Sequence, residues 1–164
     1  MTLDQLFETL WKDYGQLNPS AVRVHDILTK KGETVLNDHV ALRTYDDEKI
    51  GLEQMSKVFK KHGYVPKGEY IFVEKKLFAL HFEHPDVAVP KIFISQLQTN
   101  KLSGNAQKII KSLVAQVPDS QPGREDFCVS GRPWKVTHKE YTQLLEESEY
   151  AAWMSAFGFR VNHF

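Results

Sequence analysis

The spacing of hydrophobic positions changes several times along the chain, and each change marks an element. Leu3, Leu6, Phe7, Leu10, Trp11 and Tyr14 recur at helical spacing behind a capping box of Thr2 and Gln5, which predicts an amphipathic helix over about residues 2–14. Asn18 and Pro19 read as the cap and first residue of a second helix, with Val22 and Leu28 as apolar positions and Gly32 as its stop. Residues 1–32 are thus expected to form a helical brace. The run from Asn37 to Tyr45 begins with turn residues and continues in β-branched and aromatic ones, the signature of a strand. Leu52, Met55, Val58, Phe59 and His62 return to helical spacing and end at Gly63. Glu69 to Val73 and Leu77 to His84 flank the polar Glu74-Lys75-Lys76 and predict a hairpin, and a further strand runs from Lys91 to Leu97. Residues 38–97 therefore read strand, helix, strand, strand, strand. Beyond them Ile109, Ile110, Leu113 and Val114 mark a helix, Thr137 and Glu140 a second capping box ahead of Tyr141, Leu144 and Leu145, and 149–157 a short helix before Gly158.

The expected fold class is α+β. It is a single domain, 1–164, in which a βαβββ module at 38–97 with a curled, mixed sheet is flanked by N-terminal helices and a helical segment at 103–158. Residues 159–164 are expected to begin a second module. By analogy of element order alone, the module is of the vicinal-oxygen-chelate kind, in which two such units curl their sheets around a shared cavity.

Composition narrows the function classes. Hydrophobic residues at 41% and charged residues at 26% are those of an ordinary globular chain. Twenty-one basic and 21 acidic residues cancel, so no overall field draws the chain to nucleic acid or to an anionic membrane. No apolar run approaches the roughly 18 residues that a spanning helix needs. The lone Cys128 cannot form an intramolecular disulfide, and no leader pattern is seen at the start, so a reducing cytoplasm is the expected compartment. The partners to expect are small molecules, with no nucleic acid and no membrane. Seven histidines are the one feature that calls for a metal or acid–base site.

Three groups of residues carry candidate chemistry. On a strand, His39, Ala41 and Arg43 share a face, so an imidazole able to bind a divalent metal and a guanidinium able to grip a carboxylate in bidentate fashion would look into one cleft. A structural histidine and a surface ion-pair arginine fit the same spacing. His81, Glu83 and His84 are the densest ligand-capable cluster. Since His84 points away from the other two, His81 and Glu83 are the secondary metal candidates, with solvent-facing capping as the alternative. Cys128 and His138 lack a third orienting group, and an inert thiol is the expectation there. Trp134 and Trp153 read as core aromatics, because basic residues do not interleave with them.

Two stretches together carry a resemblance: Asn37-Asp38-His39-Val40-Ala41-Leu42-Arg43-Thr44-Tyr45, and the closing Tyr150-Ala151-Ala152-Trp153-Met154-Ser155-Ala156-Phe157-Gly158-Phe159-Arg160-Val161-Asn162-His163-Phe164. They resemble the 2-oxoadipate dioxygenase/decarboxylase (hydroxyglutarate synthase) family, whose fold is related to the vicinal-oxygen-chelate proteins. The resemblance implies an Fe(II) enzyme of lysine degradation that takes 2-oxoadipate and O2 to 2-hydroxyglutarate and CO2. Zn, Ni or Mn could replace the iron in a purified sample. By the same likeness His39 and His163 are metal ligands, and Arg43 holds the substrate carboxylate. The third ligand, a glutamate, lies downstream of the Asn-His-Phe motif in the family, so the chain is expected to be the first half of a longer protein. If nothing follows Phe164, His163 is expected to fray. Three other readings remain open at this stage: a metal-dependent hydrolase or lyase of the same fold, an organic-acid-binding half-barrel without metal or turnover, and an assembly role in which two incomplete barrels pair between chains as a homodimer.

Overall fold

The computed structural model describes residues 1–164. Two helices open the chain, α1 (Leu3–Leu17) and α2 (Pro19–Lys30). The capping box at Thr2 and Gln5 forms as expected, whereas Asn18 does not cap α2: its amide donates back to the Tyr14 carbonyl at 3.1 Å. The βαβββ module follows as β1 (His39–Tyr45), α3 (Leu52–Lys61), β2 (Val65–Phe72), β3 (Leu77–Glu83) and β4 (Lys91–Leu97). Then come α4 (Gly104–Val114), α5 (His138–Leu145), α6 (Glu149–Phe157) and the short β5 (Val161–His163).

All five strands join one sheet in the order β2-β3-β4-β1-β5. β1 and β4 are parallel, and every other pairing is antiparallel. Alternation along β1 and β4 buries Val40, Leu42, Ile92 and Ile94 on one face, where α3 packs with Leu52, Met55, Val58 and Phe59. Burying each such side chain contributes on the order of 1.5–3 kcal/mol, which sets the register of the central strands, because a one-residue slip would turn the whole set outward.

The edge strands depart from expectation. β2 starts at Val65 rather than Glu69 and is exposed along most of its length. It carries Pro66 and a register shift between Pro66 and Gly68, both tolerated at an edge because no partner strand needs the missing donor. With neither face buried, it has no alternation to read. β5 occupies the other edge, against β1.

Candidate active site

The face of the sheet opposite α3 carries the candidate residues. His39, Ala41 and Arg43 of β1 stand level with Lys91, Phe93 and Ser95 of β4, and on β3 Ala79 and His81 stand level with Ser95 and Phe93. Small side chains at Ala41, Ala79 and Ser95 leave room above the strands. A cleft of about 430 Å³ opens there, lined among others by Ala41, Arg43, Phe93, Ser95, Tyr150 and Asn162.

At one end of β1, the imidazoles of His39 and His163 lie with ring centroids 4.9 Å apart and planes inclined by 31°. The pairing of Ala41 with His163 across the β1–β5 edge brings the two together from opposite ends of the chain. His39 Nδ1 is 2.9 Å from the Asp38 carboxylate. With the Nδ1 proton donated to Asp38, Nε2 keeps its lone pair for a cation, the carboxylate–histidine arrangement that commonly orients a metal-ligating imidazole.

β5 is tied down rather than frayed. Buried Asp13 of α1 accepts from Arg160 Nη1 at 2.6 Å and from the Val161 amide at 2.9 Å, while Phe164 packs edge-on against Trp11, 5.2 Å between centroids, and lies beside Tyr14. Burial pushes the Asp13 carboxyl above its ordinary value, and the Val161 amide and Arg160 oppose that shift. The helical brace thus acts on the strand that carries His163.

Arg43 stands toward the other end of β1. Four strand residues at about 3.3 Å each place its Cα roughly 13 Å from that of His39. Its guanidinium carbon lies 4.9 Å from the centroid of the Tyr150 ring and 4.8 Å from that of Trp153. Burial lowers its pKa, which the neighbouring Tyr150 counters, and no side chain or carbonyl of the chain hydrogen-bonds to it. Tyr150 is itself anchored. Its buried hydroxyl lies 2.7 Å from the Ser95 carbonyl, 3.0 Å from Ser95 Oγ and 3.1 Å from the Thr44 amide. One donated and two accepted bonds use the full capacity of a phenol. The Tyr45 hydroxyl returns the contact by donating to the Ala151 carbonyl at 3.0 Å. These bonds dock the start of α6 on the ends of β1 and β4. Trp153, read from sequence as core, is half-buried and covers Arg43.

The secondary candidates form a separate network. His81 Nδ1 meets the Tyr70 hydroxyl at 2.9 Å and its Nε2 lies 3.3 Å from Glu83. Lys91 pairs with Glu83 at 3.2 Å, and this contact is the main cause that lowers the Glu83 carboxyl below its usual range. Lys91 also stands level with His39, so a cation separates Glu83 from the histidine pair. No group of three or more His, Cys, Asp or Glu side chains converges as a metal cage. The His39 and His163 rings lie side by side, and His81 and Glu83 belong to the Tyr70 and Lys91 network instead. His84 is engaged elsewhere, its Nδ1 accepting from the Asp86 amide at 3.0 Å. Cys128 is buried, which pushes its thiol up to about 12.

A five-stranded mixed sheet with βαβββ connectivity thus carries a histidine pair where β1 meets β5 and an arginine further along β1. Residues 5–121, more than half of the chain, match the family model of 2-oxoadipate dioxygenase/decarboxylase. The chain belongs to that family. A rice 2-oxoadipate dioxygenase/decarboxylase, chloroplastic/amyloplastic, is 31% identical over 98% of this chain and 49% of its own length, so the chain spans about half the length of the curated relative it matches. Among solved structures, a Shewanella frigidimarina protein carrying a provisional hydrolase name superposes with a TM-score of 0.93 at 45% identity, over 97% of this chain and 62% of that one. The rice hydroxyglutarate synthase in complex with 2-oxoadipate gives a TM-score of 0.84 at 30% identity, over 96% and 55%. A Ralstonia eutropha protein provisionally placed in the glyoxalase superfamily shares the fold at a TM-score of 0.72 and 19% identity, over 96% and 59%. No helix of the chain is long and apolar enough to cross a membrane.

Proposed function

We propose that this chain forms the metal- and acid-binding module of an Fe(II)-dependent dioxygenase/decarboxylase acting on a 2-oxo acid, with 2-oxoadipate and O2 as substrates and 2-hydroxyglutarate and CO2 as products. The observation that carries the reading is the meeting of His39 and His163 on the same strand pair that presents Arg43. Two neutral imidazoles suit Fe(II) as part of a facial set of nitrogen and oxygen donors, and the remaining positions serve a chelating 2-oxo acid and dioxygen. Bound there, the metal supplies Lewis acidity and the one-electron chemistry that dioxygen requires. The chain's own part is recognition and orientation. Asp38 holds the His39 ring with one nitrogen free. Arg43 grips the far carboxylate of the diacid in bidentate fashion, and the roughly 13 Å between the two Cα positions favours an extended diacid over a short one. Phe93 and the small Ala41 and Ser95 line the cleft beside Arg43. Holding both ends fixes which carbon faces the metal, a positioning effect that can supply several kcal/mol of the barrier reduction.

The test uses anaerobically purified protein, with iron content and oxygen uptake recorded on adding Fe(II) and 2-oxoadipate. Bound iron and oxygen uptake, both lost in His39→Ala, are the expected result. Unchanged turnover in His39→Ala removes it as a ligand. Product formed at equal rate without O2 would favour a hydrolase or lyase, of which hydrolase is the class in the provisional name of the Shewanella protein.

A further inference from the structure

We propose that Tyr150 and Trp153 form an aromatic clamp that sets the orientation of Arg43 and thereby makes a planar carboxylate the group this cleft selects, an inference that rests on the acid-binding role of Arg43 given above. The two rings come from one helix. Three residues apart on α6, they lie on the same side of it, and both centroids are within 5 Å of the guanidinium carbon. Such contacts hold a cation through the ring quadrupole, and more strongly where water is excluded.

The consequence follows from the shape of the guanidinium. Two rings against the guanidinium narrow the routes to it, and its N–H fork, which no group of the chain occupies, matches the two oxygens of a carboxylate. No acid of the chain occupies it, although the cleft rim carries Glu147 and Glu149. Glu147 is instead bonded to the Ser103 amide at 2.7 Å and paired with Lys76 at 3.5 Å. A partly buried cation without a counter-ion is costly unless a ligand supplies the missing charge. The clamp keeps it in place in the meantime, so less side-chain freedom is lost when the acid binds. Tyr150 and Trp153 are positioning residues in this scheme, and the hydroxyl of Tyr150 docks the helix while its ring faces the arginine.

The test measures 2-oxoadipate binding by calorimetry on the whole chain after EDTA treatment, so that it is independent of metal, with circular dichroism as the check of fold. Trp153→Leu is expected to weaken binding about tenfold, the scale of one well-placed cation–π contact, whereas Trp153→Phe should recover most of the affinity because it keeps a ring. Tyr150→Phe, which loses the docking bonds but not the ring, should lower stability and leave affinity within a few-fold of the parent. The amide analogue of the distal carboxylate should bind the parent no better than Trp153→Leu binds the acid. Equal affinity in folded Trp153→Leu and parent would overturn the clamp. No binding by the parent, or full binding by Arg43→Ala, would overturn the acid-binding role of Arg43 and the clamp with it. Binding that depends on Arg43 and Trp153 without oxygen uptake in the iron-loaded protein would leave the clamp standing and reject the dioxygenase reading.

Discussion

Arg43 and Cys128 show how surroundings decide what a reactive group can do. If Arg43 meets a carboxylate through two parallel N–H bonds, Arg43→Lys keeps the charge and loses the fork, since an ammonium is a point charge on a flexible stem. Apparent KM for 2-oxoadipate is expected to rise by about tenfold or more with iron content unchanged, and full recovery of KM by lysine would contradict bidentate contact. Cys128 is the opposite case. The thiolate is the nucleophile, and burial pushes this thiol up to about 12, so at neutral pH very little of it ionises. It should stay unreactive toward a thiol-specific disulfide reagent in native protein and react once in urea. Rapid native labelling would show that the site opens. Sequence spacing had already left Cys128 and His138 without an orienting group, and the structure agrees, since His138 starts α5 on the surface.

Elements place the functional side chains more than their own sequences do. The turn from α6 into β5 depends on Gly158, at φ +69°, where a Cβ would sit 2.5 Å from the Gly131 carbonyl oxygen and 2.6 Å from the Arg132 Cα. The close approach lets Gly131 and Phe159 exchange two backbone hydrogen bonds of 2.9 Å. Gly158→Ala should cost about 1–3 kcal/mol in urea unfolding, through strain in a region only glycine visits easily. It should also weaken divalent-metal binding, because β5 and His163 follow directly. A variant with parent stability and metal affinity would show that the turn does not set the strand. α6 was predictable from Gly158 and its apolar content. That its Tyr150 reaches across to Thr44 and Ser95 was not, because a hydroxyl bond between residues so far apart leaves no local pattern.

Across the whole molecule, distant segments are held together by a few polar ties over one core. Glu125 is one of them: Lys61 of α3 and then the Met1 amine hold its carboxyl down to about 2 from an ordinary 4.5. A carboxyl depressed in the folded state adds stability above its unfolded value and loses it as pH falls toward the folded one. The stability difference between parent and Glu125→Gln, from urea midpoints, should therefore be greatest above pH 4.5 and shrink as pH falls toward 2. A difference that grows on acidification would reverse the assignment. The group is exposed, so the effect is small. Asp13 is the buried counterpart, joining α1 to β5, and through it the brace bears on the site.

The amino-acid sequence alone determined the α+β class, the βαβββ order, both capping boxes and the candidate status of His39 and Arg43, because periodicity, caps and alternation are properties of neighbouring residues, while His163 became a candidate only through the likeness of its motif to the family. The sequence also showed a resemblance to the family that the match over residues 5–121 establishes. It placed the start of β2 late, since an edge strand exposed on both faces has no alternation. It could weigh His81 and Glu83 only by their spacing. Tertiary structure alone decided that Lys91 stands between Glu83 and the histidines, that His163 meets His39 across a strand edge, that Asp13 holds that edge, and that two rings of α6 close on Arg43. Each of these is a contact between segments far apart in the chain. Such contacts arise from how the helices pack on the sheet, and no local pattern of residues encodes that packing.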